Sequence, residues 1–213
     1  MKEKLHRTVL GFGVTAGLAM LTAGCGNLAT QGTAPVQVVI DSLQAASGAT
    51  PDTIGGTLNS DVVTNVRRQV GAVQVEVPTI CNDFGLVRMR LVLKDPGVPG
   101  VTNVPSPINE VTIKRYRVTF RRADGRNTQG VDVPFAFDSA VTFTIPAQGV
   151  AEATFELVRH VAKEEAPLAA LRVNNLNITT LAEVSFFGAD QAGHDVIASG
   201  TIGVTFANFG DPN

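Results

Sequence analysis

The sequence predicts an all-β chain folded as an antiparallel β-sandwich, and three observations predict it. Apolar and polar residues alternate with period two through several short runs. Gly, Pro, Asp and Asn cluster between those runs, where turns need them. The composition, with 21 Gly, one Tyr and no Trp beside many Val and Thr, suits a β-protein built from small residues. About seven to nine short strands with turns at this spacing make a sandwich; a closed β-barrel is the alternative.

The chain opens on "MKEKLHRT", with three bases and one acid, followed by the uncharged run Val9 to Leu21. As a helix that run reaches about 20 Å, short of the roughly 30 Å of a bilayer core. A basic start, a short apolar middle and a small-residue boundary describe a secretory signal over residues 1–24. The boundary reads "LTAGCG", and its "TAGC" resembles the lipobox of bacterial lipoproteins, with the leucine one place early at Leu21 and Thr22 in its usual position. The resemblance implies cleavage before Cys25 and acylation of its thiol, so that two or three acyl chains hold the protein to a membrane. Gly26 stands where an Asp would resemble an inner-membrane retention signal, which favours an outer membrane where the host has one.

Residues 25–35 read as the lipidated tether, of which residues 26–35 reach at most about 35 Å, and residues 36–213 as the sandwich domain. Removing residues 1–24 leaves 14 bases against 18 acids, a net charge of −4, which argues against nucleic acid as a partner.

"VQVVID" (36–41) is the first strand, and 45–60 a turn-rich connection. In 86–94, Val87, Met89, Leu91 and Leu93 share one face and Arg88 and Arg90 the other. In 116–122, Tyr116, Val118 and Phe120 face in while Arg115, Arg117 and Arg121 face out. Val111 and Ile113 have the opposite parity, which predicts a bulge near Lys114. "VDVPFAFD" (131–138) reads as an edge strand whose Phe135 and Phe137 plug the end of the core. Strands follow at 150–158, 181–188 and 196–206, with Gly200 in line on an inward position. Asp124-Gly125 signals a hairpin, and "GADQAGHD" (188–195) joins the last two strands. The proline-rich 95–109 is a long loop, and 162–175 holds one helical turn after Pro167. The segment from about 110 to 210 resembles immunoglobulin-like modules in architecture alone, and the whole chain is similar to envelope lipoproteins.

For chemistry, the visible feature is Arg88, Arg90, Arg115, Arg117 and Arg121 on outward positions of two strands. Paired strands would make one basic face, either docking an acidic partner or ion-paired across strands with Glu152, Glu156 and Glu183. Cys81, His160 and His194 lack the local ligand pairs of zinc sites. Asp190 with Asp195, or Asp124 with Asn127, are calcium candidates that turn geometry also explains. No G-x-S-x-G, H-E-x-x-H or phosphate-loop motif occurs, and no metal, cofactor or catalytic residue is expected. The reading is a lipid-anchored, non-catalytic module of the cell envelope that meets the membrane through Cys25 and a protein or polysaccharide partner through its body. An envelope hydrolase with a cleft at one end of the sandwich is the alternative.

Overall fold

The computed structural model describes residues 32–210; the segment 1–24 expected to be a signal, and Cys25, lie outside them. The chain is all-β. Its strands are β1 (Val36–Ala46), β2 (Thr57–Asp61), β3 (Thr64–Val70), β4 (Val73–Thr79), β5 (Asp83–Leu93), β6 (Gly97–Val98), β7 (Val101–Thr102), β8 (Val111–Arg121), β9 (Phe137–Ile145), β10 (Val150–Val158), β11 (Ile178–Asp190) and β12 (Asp195–Ala207). One short helix, α1 (His160–Glu164), and a 3-10 turn (Leu168–Arg172) separate β10 from β11.

Two main sheets pack in a sandwich-like arrangement, and they do not close into a barrel. The smaller has the order β1-β5-β10 and the larger β2-β12-β11-β8-β9. All pairings within them are antiparallel except β2 with β12, which is parallel. The alternation read from the sequence sets which side chains meet. Val87 and Met89 of β5 share one hydrophobic cluster with Tyr116, Val118, Val184 and Phe186 of the larger sheet, all at or near complete burial. Phe155 of β10 meets Tyr116 and Phe186 edge-on at centroid distances of 5.1 and 5.3 Å, contacts worth about 0.5–1.5 kcal/mol each beyond their burial.

Two glycines make room for side chains of the core. Gly85 lies opposite Phe155 in the β5–β10 ladder, and the phenyl ring occupies the space a Cβ would need. Gly200, the inward residue between Ala198 and Ile202, leaves room for Ile40 and Leu43 of β1, whose methyls would stand 3.2 and 3.3 Å from its Cβ.

The predicted bulge falls at Lys114. The register shifts between Ile113 and Arg115 against β9 and between Phe187 and Gly188 against β11. That extra residue restores the parity, so Val111 and Ile113 are buried on the same side as Tyr116 and Val118.

Other expectations are corrected. The stretch 45–60 is not all connection: β1 runs on to Ala46, and Thr57–Asp61 forms β2 along β12. The expected edge strand at 131–138 is loop as far as residue 136; the edge strand β9 begins at Phe137, which is buried, while Phe135 is about half exposed and packs over Gly130 instead of plugging the core. Asp124-Gly125 makes a turn, yet β8 and β9 are joined by the longer loop 122–136, because Arg122 and Arg126 gather around Asp124 and hold the loop's own fold. The helical turn after Pro167 is present, preceded by α1.

Candidate functional site

The five arginines do not share a face. Arg88 and Arg90 lie on β5 in the smaller sheet, and Arg115, Arg117 and Arg121 on β8 in the larger one, so the two groups line different outer surfaces. The expectation of one basic face required β5 and β8 to pair; β5 pairs with β1 and β10 instead. Each arginine meets a carboxylate: Arg88 with Glu152 at 2.8 Å, Arg90 with Asp41 at 2.8 Å, Arg115 and Arg117 with Asp138 at 3.3 and 3.1 Å, and Arg121 with Glu183 at 3.5 Å. Glu152 and Glu183 are partners the sequence pointed to. Asp41 and Asp138 are not, because their places beside the arginines depend on a bulge in β1 and on the β8–β9 register. These exposed pairs each contribute well under about 1 kcal/mol.

The bulge at Lys114 opens a shallow groove of ≈ 430 Å³ on the outer surface of the larger sheet, lined by Lys114, Arg115, Phe187, Gly188, Asp195 and Ile197. Gly188 is required there, since Thr112 carbonyl and Ile113 backbone stand where its Cβ would be. The Arg115 guanidinium lies 3.8 Å over the Phe187 ring, a cation–π contact that holds it flat. The groove thus offers two cations and an apolar floor, with one carboxylate at its rim.

The titratable groups considered for catalysis or metal are otherwise engaged. Asn82 Oδ1 accepts from the His160 backbone N–H at 2.6 Å and lies 2.9 Å from His160 Nδ1. Cys81, half-buried, makes no hydrogen bond to a histidine among the described residues. Asp190 closes the β11–β12 turn: its Oδ1 accepts from the Ala192 and His194 backbone N–H groups and its Oδ2 lies 2.8 Å from His194 Nδ1. Burial pushes the Asp190 carboxyl up, but the hydrogen bonds from His194 and Ala192 outweigh it and hold it below its ordinary value. Hydrogen bonds from Arg122 and Arg126 hold the Asp124 carboxyl far below the usual range, while Asn127 Oδ1 accepts from the Arg122 backbone. Among the described residues no group of three His, Cys, Asp or Glu side chains converges as metal ligands would.

Two features escaped the sequence reading. The first is a buried polar cluster: Asp83 receives Ser60 Oγ at 2.6 Å and the Gly48 N–H at 2.9 Å, and Lys163 Nζ lies 2.9 Å away. That last contact is close in distance but off the axis a hydrogen bond prefers, so it is an ion contact. Asp83 and Lys163 come from strands and helix far apart in sequence, and no local signal pairs them.

The second feature is the β3–β4 hairpin, a separate two-stranded ribbon. Its signal was legible in "VRRQVGAVQVEV": Val73, Val75 and Val77 alternate after Gly71-Ala72, and Val66 and Val70 share one parity before it. Val70 pairs with Val73 across a two-residue turn, and Gly71 at φ 63° supplies the first central residue of a II′ turn. The hairpin leaves the sandwich at the end where β5 begins with Asp83. In the β1–β5 ladder Ala46 stands beside Phe84 at that end, and Val36, with the segment leading back to Cys25, stands beside Leu93 at the other. No protein-family model, curated protein or solved structure matches the chain.

Proposed function

We propose that the chain is a lipid-anchored, non-catalytic binding or structural module of a bacterial cell envelope, tethered through Cys25 and presenting its β-body to a protein or polysaccharide partner. The observation that carries the reading is the order of the first residues: a basic start, an apolar run too short to span a bilayer, and "LTAGCG" with its lipobox-like ending. The body's geometry supports the same reading. The tether enters at one end of β1, and a ribbon with exposed valines leaves from the other end. With Cys25 acylated, the end of the body nearest the tether stays near the membrane and the ribbon at the far end is free to meet a partner.

The test is metabolic labelling with a radioactive fatty acid. Wild-type protein carries the label and starts at residue 25, and Cys25→Ser carries none. Equal labelling of both, or a mature N-terminus elsewhere, overturns the anchored reading.

A further inference from the structure

The β3–β4 ribbon has two faces of opposite character. Cross-strand partners share a face, so Val66 with Val77, Arg68 with Val75 and Val70 with Val73 form one side. Asn65 with Pro78, Arg67 with Glu76 and Gln69 with Gln74 form the other. On the polar side Arg67 and Glu76 pair at 3.6 Å. On the apolar side Val66, Val70, Val73 and Val75 are 40, 59, 64 and 42% exposed. Arg68 stands among them, exposed, its side chain without a hydrogen-bond or ion-pair partner among the described residues. No third strand joins either edge of the ribbon among the described residues. An isolated two-stranded ribbon is only marginally stable in water, and open edges beside apolar side chains template a further strand.

We propose that this ribbon is a docking element, and that its occupant is an extended segment of a partner protein with apolar side chains at alternate places and a carboxylate set against Arg68. The inference rests on the reading of the chain as a binding module and names the class of its partner. Charge selects that partner. The valine face carries one cation and no acid, since Glu76 lies on the other side with Arg67. A second copy of the same face would therefore leave both Arg68 guanidiniums uncompensated. A lipid surface offers no partners for open strand edges, and the ribbon leaves the body away from the tethered end of β1. An added strand satisfies those edges directly. It joins β3, because β4 carries Pro78, which has no N–H to give.

The experiment uses the full chain in nanodiscs of zwitterionic lipid, with a synthetic peptide alternating valine and threonine around one central aspartate. Hydrogen exchange over residues 64–79 and binding affinity are followed, with β11 amides as the control for folding. The peptide slows exchange along β3. Arg68→Glu weakens binding about tenfold and prefers the same peptide with lysine at the central place, because the charge is reversed at one exposed position. Equal binding by wild type and Arg68→Glu, no binding by wild type, or no change of exchange in β3 overturns the proposal. So does ribbon protection that appears without peptide in anionic nanodiscs, which marks a lipid surface. Protection that grows with protein concentration, which marks a second copy, overturns it too. Failure of Cys25 acylation removes the anchor and leaves the peptide result standing, whereas an indifferent ribbon leaves the anchor standing.

Discussion

Lys163 Nζ lies 2.9 Å from Asp83 Oδ2, and both side chains are sealed from solvent, at 1 and 0% exposure. Asp83 is also held by Ser60 and Gly48, and the Lys163 carbonyl accepts from Arg172 at 2.8 Å. The pair therefore fixes α1 and the following 3-10 turn over the end of the sandwich, where Leu168 and Leu171 complete the core. Removing one partner strands a buried charge. Lys163→Ala is expected to lower unfolding stability by about 3–5 kcal/mol, read from urea midpoints. Lys163→Met with Asp83→Asn should recover part of that loss. A loss below about 1 kcal/mol in the single variant would show that the pair does not hold the cap.

Tyr116 joins the two sheets at a different level. Its hydroxyl donates to the Glu156 carbonyl at 3.0 Å and accepts the Glu156 N–H at 3.2 Å. Tyr116→Phe removes both bonds and keeps the ring contacts, so a loss of about 1–3 kcal/mol is expected by thermal or urea unfolding. Burial pushes the Tyr116 hydroxyl up, against hydrogen bonds with Ser139 and Glu156 that act downward. The unfolded chain then ionises first as pH rises, so stability is constant below the ordinary tyrosine pKa of about 10 and falls above it. Because the chain has a single Tyr and no Trp, tyrosinate absorbance reports this group alone. A folded-state midpoint at or below that of the urea-unfolded chain would contradict the assignment.

Asp190 organises the β11–β12 turn, and its lowered pKa gives the opposite pH dependence. Its contribution is complete above the unfolded carboxyl value and declines as pH falls through the lower folded value. Asp190→Ala leaves the Ala192 and His194 N–H groups without their acceptor and should cost about 1–3 kcal/mol at neutral pH. The gap between wild type and variant should narrow in acid. A gap that stays constant down to the acid limit would remove the carboxylate from the explanation.

Gly85 is a position where a single methyl harms the core. A Cβ there meets the Phe155 ring, which is itself held between Tyr116 and Phe186. Gly85→Ala should destabilise by about 1–3 kcal/mol, and Phe155→Leu in the same chain should relieve the clash. Additive losses in the double variant would mean the ring is free to move aside.

Much of the fold was written locally. The period-two runs placed β5, β8, β10, β11 and β12, and the parity break before Tyr116 located the bulge at Lys114, because pleat geometry depends only on neighbours along the strand. β2 was not legible: Thr57–Asp61 has no alternation of its own and becomes a strand by lying beside β12. The arginine faces show the same limit. Outward placement followed from parity, while the grouping of Arg88 and Arg90 apart from Arg115, Arg117 and Arg121 depended on which strands are neighbours.

The sequence by itself determined the all-β class, the inward and outward faces of the long strands, and the presence of a short uncharged run a few residues before a cysteine, since each follows from residues close together in the chain. Only the tertiary structure decided the strand order, the burial of Lys163 against Asp83, and the separation of the valine ribbon from the sandwich. Those depend on contacts between segments far apart in sequence, whose free energy comes from mutual burial and charge compensation that no local pattern records.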